Sequence, residues 1–242
     1  ELGADNLKYL KQVIRLKPGD RIKIFDGFGK EYEAVIKSYS AKNVSIELKK
    51  LMPVMSKEIK ITLAQAIPKA KKMDAIVKTA AELGTDMIIP FDSARSVVHI
   101  AEEKSSSKVS RWQKIAMEAA RSSHSSYVTQ VAKVSSFSEM LSLVSKDALK
   151  LIFWEEECQK TVKDVLQDEQ ISNVKDYFVV VGPEGGFSKE EIMETKNAGF
   201  ISVSLGRQIL KVETAAAAIL SIIQSEKGIF CKKLQEVKNE FL

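Results

Sequence analysis

Residues 177–228 constrain the fold more than any other stretch. Residues 177–181, YFVVV, are a short apolar run rich in β-branched side chains, the signature of a buried strand. They lead straight into Gly182-Pro183-Glu184-Gly185-Gly186, where three glycines in five residues let a backbone pass close to a ligand, since no Cβ intrudes and positive φ is allowed. Ser188 followed by Glu191 is a capping box that opens a helix, and Gly199 ends it. Residues 200–205 read as a second strand ending in Gly206, and a last helix over residues 214–227 closes at Gly228. Two glycine-bearing loops thus follow successive strands, the place where open α/β sheets bind ligands. Neither is a nucleotide loop, because the chain has no GxxxxGKS/T and no GxGxxG.

Residues 1–54 read as a small β-rich domain. Leu7, Leu10, Val13 and Ile14 have helical spacing, and Pro18-Gly19-Asp20 is a turn. Residues 21–25, 31–39 and 44–48 are strands, the first two joined by the hairpin signal Asp26-Gly27-Phe28-Gly29, in which Asp26 shapes the turn. Short strands with tight turns indicate a barrel. Residues 51–57, with Pro53 and two methionines, form the linker to a second domain over residues 58–242. There a strand at 59–66, a helix at 69–83 with Met73, Ile76, Val77 and Ala80 on one face, and a strand at 87–91 imply a parallel α/β sheet. Residues 103–110 are polar and serine-rich and read as a mobile loop. A helix over 111–121 turns Trp112, Ile115, Ala116 and Ala119 inward, and a short one covers 137–144. A strand at 151–154 leads into Glu155-Glu156-Glu157, of which Glu156 and Glu157 are expected in solvent.

The net charge of +5 sits wholly in the N-terminal quarter: residues 1–57 carry 12 Lys and Arg against 7 Asp and Glu, and residues 58–242 carry 25 of each. A basic module beside a neutral one suggests a polyanion partner, with Arg15, Lys17 and Arg21 as phosphate contacts; the alternative is a solvated lysine-rich surface. No segment approaches about eighteen consecutive apolar residues, so no membrane span is expected. The chain opens on Glu1 rather than Met and shows no secretory signal pattern. Cys158 and Cys231 match no metal spacing and read as buried, reduced thiols, which suits a cytoplasmic protein without a metal.

The pair GPEGG and SLGRQILKVETAAAA resembles the SPOUT superfamily of S-adenosylmethionine-dependent RNA methyltransferases. Within it the chain is similar to the RsmE type, which methylates uracil N3 in small-subunit (16S) rRNA. The run VIRLKPGDRIKIFDGFGKEYEAVI is similar to that family's PUA-like RNA-binding barrel, and KKMDAIVKTAAELGTDMIIPFDSARSVV to its catalytic domain. The resemblance implies a parallel α/β sheet with a C-terminal trefoil knot, a homodimer, and the small ribosomal subunit or its 16S rRNA as partner. It also implies that S-adenosylmethionine is held by Trp154, Gly182, Pro183, Glu184, Gly185, Gly186, Leu205, Gly206, Ile209, Leu210 and Thr214. Arg95 falls on the arginine of the family's ERSVV element, with Ala94 in place of the acid, and Arg121 ends the helix beginning Arg111-Trp112; both are expected to contact RNA.

Uracil N3 is protonated at neutral pH, so its methylation needs a base or a cation that stabilises the uracilate oxygens. Glu184 and Glu213 are the carboxylates and Arg207 and Lys211 the cations near the loops; Glu184, Glu213 and Lys211 are the catalytic candidates. Several positions depart from the family pattern. Ser122, Ser125 and Thr129 stand where Gln, Arg and Pro are usual, and Gln208, Lys211 and Val212 stand where Arg, Arg and Thr are usual. Lysine keeps the charge but loses the planar fork. Other readings are ribose 2′-O methylation, an RNA-binding assembly protein of weakened activity, or a phosphate-binding α/β enzyme using GPEGG at a helix N-terminus.

Overall fold

The computed structural model describes residues 4–53, 56–171 and 173–229. The chain divides into two compact units, one gathering residues up to Ser56 together with Ser125–Tyr127, the other beginning at Lys57.

In the first unit a short helix α1 (Ala4–Lys8) continues as a π-helical turn, Tyr9–Val13. Three antiparallel strands follow, β1 (Arg21–Phe25), β2 (Glu31–Tyr39) and β3 (Val44–Leu51). The β1–β2 turn is built as its sequence dictates: the Asp26 carboxylate accepts the backbone N–H groups of Phe28 at 2.7 Å and Lys30 at 3.1 Å. Leu10, Ile36 and Val44 are buried, with Leu7, Leu16, Ile22, Tyr39 and Ile46 packed on them. Strand β3 runs on to Leu51, so the first residue of the expected linker belongs to the sheet.

The second unit alternates strands and helices: β4 (Lys60–Ala66), α2 (Lys72–Glu82), β5 (Met87–Asp92), α3 (Glu102–Ser122), β6 (Gln130–Val131), β7 (Ser135–Ser136), α4 (Phe137–Ser142), β8 (Leu149–Phe153), α5 (Val162–Leu166), β9 (Asp176–Val181), α6 (Lys189–Asn197), β10 (Ile201–Val203) and α7 (Val212–Glu226). The strands form one parallel sheet in the order β10-β8-β9-β4-β5-β6, with β7 also on β5. Alternate residues of β9 face opposite ways. Tyr177, Val179 and Val181 pack with α2, α3, α5 and α7, whereas Phe178 and Val180 pack with α4 and α6. A strand covered on both faces must be apolar throughout, which is why YFVVV does not alternate.

Four expectations are corrected. Residues 103–110 are not a loop but the first turns of α3, a 21-residue helix. Their polarity reflects exposure, with Val109 reaching the core, while Glu102 and Glu103 suit the positive end of the helix dipole. The helix expected from residue 69 starts at Lys72, after Ala70 turns the chain in the left-handed region at φ 56°. Strand β10 ends at Val203 because Ser204 leaves the ladder to bridge Thr161. Cys158 is exposed, not buried, and Cys231 lies outside the described residues. Helix α5, which the sequence reading passed over, begins with a capping box of Thr161 and Asp164.

Candidate functional site

The C-terminal ends of three neighbouring strands open into one cleft. The glycine loop leaves β9, residues 204–211 leave β10, and β8, which lies between them in the sheet, contributes Phe153, Trp154 and Glu155. The cleft has a cavity volume of about 130 Å³. Of the residues expected to hold the donor, Trp154, Gly182, Pro183, Gly186, Leu205, Gly206, Ile209 and Leu210 line it; Glu184, Gly185 and Thr214 do not. Arg207 and Gln208 also line it, and Lys211 sits between the lining residues Leu210 and Val212. Lys211 is exposed and precedes α7, where its carbonyl accepts the Ala215 N–H at 2.8 Å.

The glycines serve different ends. A Cβ on Gly182 would meet the Phe187 ring at 3.0 Å, and one on Gly185 would meet Arg95 at 3.2 Å, so both are consumed by packing within the protein. A Cβ on Gly186 would collide with the Glu155 carboxylate, which the sequence reading left without a role. Gly206 is different: its φ is +111°, and the space a side chain would take is open.

The glycine loop is braced from several sides. Arg95 Nη1 donates to the Gly185 carbonyl at 3.2 Å. The buried Glu191 carboxylate accepts the Ser188 N–H at 2.9 Å, closing the capping box, and the Ala94 N–H at 2.9 Å. Glu184 turns away from the cleft lining and accepts the Lys69 N–H at 3.2 Å and the Lys72 ammonium at 2.8 Å. Glu213 comes within 3.6 Å of the same ammonium. Burial alone would raise the Glu184 pKa, but the Lys72 ammonium and the backbone N–H groups outweigh it and hold the carboxyl below its ordinary value. Lys72 is raised, chiefly by its bond to Glu184. The two carboxylate candidates therefore meet on a lysine that sequence reasoning missed.

The Trp154 Nε1–H is buried without a hydrogen-bond partner, although the ring packs against the core. An unpaired donor on a residue of a cleft lined by two glycine-bearing loops fits the expected methyl donor.

Among the residues expected to meet RNA, Arg15, Lys17 and Arg21 are exposed. Arg21 also lines a groove on the three-stranded sheet with Lys23, Glu33 and Lys49. Arg121 is largely covered and donates to Glu118 at 2.5 Å. The departures near it are used locally: Ser122 donates to the Ala119 carbonyl at 3.0 Å, Ser125 to the Tyr127 carbonyl at 2.9 Å, and Thr129 to the Thr85 carbonyl at 2.6 Å. Glu157 is not simply solvated, since the Gln159 N–H bonds its carboxylate and lowers its pKa. No helix among the described residues is long and apolar enough to cross a membrane.

Comparison with known proteins adds the context. Residues 55–224 match the model of an RNA methyltransferase domain, and residues 2–49 that of an RNA methyltransferase PUA domain. A Bacillus subtilis protein named ribosomal RNA small subunit methyltransferase E is 31% identical over 91% of this chain and 87% of its own. A Rickettsia conorii protein of the same name is 29% identical over 97% of this chain and 92% of its own. The crystal structure of a ribosomal RNA small subunit methyltransferase E from Neisseria gonorrhoeae, bound to S-adenosyl methionine, superposes with a TM-score of 0.81 at 27% identity, covering 93% of both chains.

Proposed function

The chain belongs to the RNA methyltransferase family, and on that premise we propose that it transfers a methyl group from S-adenosylmethionine to N3 of a specific uridine in small-subunit (16S) rRNA. The observation that carries this reading is the cleft at the ends of β8, β9 and β10, lined by both glycine-bearing loops and by Trp154 with its unpartnered N–H. Relatives that share the sequence over nearly its whole length bear the corresponding name.

When bound, the donor supplies a methyl carbon made electrophilic by the adjoining sulfonium. Trp154, Gly182, Pro183, Gly186, Leu205, Gly206, Ile209 and Leu210 would hold it. The contribution of Glu184, Gly185 and Thr214 is indirect, through the shape of the loops. Most of the acceleration comes from positioning, because methyl transfer needs an aligned approach more than it needs catalytic groups. The uracil must be unpaired for N3 to be reached. Lys211, with Arg207 near it, stabilises the negative charge that develops on the uracil oxygens as N3 loses its proton. Glu184, held by the Lys69 N–H and the Lys72 ammonium, acts as a brace; Glu213, 3.6 Å from the same ammonium and next to the lining residue Val212, is the other carboxylate candidate for the proton.

The reading extends to a trefoil knot formed by the segment from Gly182 to Gly228, a barrel-like RNA-binding domain over residues 1–54 with the methyltransferase domain over 58–242, a homodimer, and a cytoplasmic setting. In the basic domain Arg15, Lys17 and Arg21 contact phosphate; in the second unit Arg95, which is exposed, is the further RNA candidate, while Arg121 is held by Glu118 and largely covered. The test is calorimetry of S-adenosylmethionine and S-adenosylhomocysteine on the purified protein, followed by methylation of small-subunit RNA with the product nucleoside identified. Binding of both, with methyl on a uracil ring nitrogen, is expected. Methyl on ribose would replace the base reading, and no donor binding would remove the enzyme reading.

A further inference from the structure

Lys72, the first residue of α2, does not line the cleft, yet it reaches the glycine loop and the first turn of α7, both of which contribute lining residues. Its ammonium is 2.8 Å from Glu184 in the glycine loop and 3.6 Å from Glu213 in the first turn of α7. The Lys69 N–H holds the same Glu184 carboxylate at 3.2 Å, so α2 and the turn before it grip the glycine loop at two points. The bridged groups are only partly exposed, 33% for the Lys72 side chain, 23% for Glu184 and 32% for Glu213, which keeps water from screening them fully. One Glu213 oxygen is buried and has the Lys72 ammonium as its charge partner. The bridged residues lie directly beside cleft-lining ones: Pro183 precedes Glu184, and Val212 precedes Glu213.

We infer that Lys72 is a positioning residue that sets the separation of the glycine loop from the start of α7 and the loop leading into it, and through it the fit of the donor. This deepens the proposed function and rests on it for the identity of the ligand, but the mechanical part stands on the ligand-free protein. With Lys72 replaced, two carboxylates would face each other without a cation, and the loops would spread.

The test compares wild type, Lys72→Met and Lys72→Arg. Amide hydrogen exchange in the ligand-free proteins reads the loops directly, and calorimetry with S-adenosylmethionine reads the fit. In Lys72→Met the amides of the glycine loop and of residues 205–213 are expected to exchange faster, with the rest of the sheet unchanged, and the donor Kd to rise about tenfold. Lys72→Arg is expected to restore both, since it keeps the charge. Unchanged exchange in the loops overturns the inference whatever the donor does, and so does an unchanged Kd in a folded Lys72→Met. Loosened loops in a protein whose wild type does not bind S-adenosylmethionine would sink the proposed function while leaving Lys72 as the bridge.

Discussion

Lys211 and Gly206 sit on the same loop and separate chemistry from binding. Removing a charge that acts only in the transition state typically costs on the order of 10²–10³ in rate. Lys211→Met should therefore lower single-turnover methylation by that order while donor affinity changes little, and Lys211→Arg should keep the activity. A wild-type rate for Lys211→Met at saturating RNA and donor would move the charge stabilisation elsewhere, with Arg207 the first alternative. Gly206→Ala should weaken S-adenosylmethionine, because Gly206 lines the cleft and φ +111° is unfavourable to any side chain, so the loop backbone must shift. Gly228→Ala, at φ +73° and equally open, is the control: both should lose roughly 1 kcal/mol of stability, but only Gly206→Ala should lose affinity by calorimetry. The sequence displayed the glycine loop plainly, and the capping box at Ser188 fell where its spacing put it. It did not display why Gly182 and Gly185 are glycines, since Phe187 folds back onto the first within the loop and Arg95 reaches the second through the tertiary fold. Lys72 was hidden for the same reason: its partner Glu184 is 112 residues away, and no local pattern encodes such a pair.

Helices and strands were legible where burial imposes a period and illegible where it does not. Helix α2 shows its inner face in Met73, Ile76, Val77 and Ala80. The first two turns of α3 touch little, so EEKSSSK has no apolar stripe to betray a helix. What anchors α3 is Trp112, 3% exposed in the core, with its Nε1–H donating to Asp74 on α2 at 3.2 Å. Trp112→Ala should cost about 3–5 kcal/mol by urea denaturation, and a cost below about 1 kcal/mol would mean that α3 is not held there. The link from α2 to the glycine loop also has a pH dependence. Glu184 is depressed below its ordinary 4.5, so its stabilisation is present above that value and fades as pH falls through the lower folded pKa. Lys72 is raised, so its share persists up to alkaline pH and is lost only above its ordinary 10.5. The Tm difference between wild type and Lys72→Met should therefore be widest near neutrality and close as pH drops below 4.5. A difference that stays constant down to pH 2 would show that the carboxylates are not what Lys72 stabilises.

Across the whole molecule the charge is unevenly shared, and the two units carry separate cores. The excess of +5 belongs to residues 1–57, and not all of those cations are equally available, because Lys37 and Lys49 both pair with Glu47 and hold its carboxyl down at about 2. Arg15, Lys17 and Arg21 are exposed, and Lys17 bonds Asp20 through its backbone, its N–H donating to the carboxylate at 2.7 Å and its carbonyl accepting the Asp20 N–H at 3.1 Å. Phosphate contacts release counterions, and each contact on single-stranded RNA contributes about 0.7 to the slope of log affinity against log salt. Replacing all three by glutamine should thus flatten that slope by roughly 2 and weaken RNA at low salt. Donor affinity should not change, since none of the three lines the cleft at the ends of β8, β9 and β10. The measurement is a salt titration of RNA binding for wild type and triple variant, beside calorimetry with S-adenosylmethionine. A slope equal to that of wild type would mean that the basic excess is a solvated surface, and that the phosphate contacts must be sought in the second unit, with Arg95 the first residue to replace.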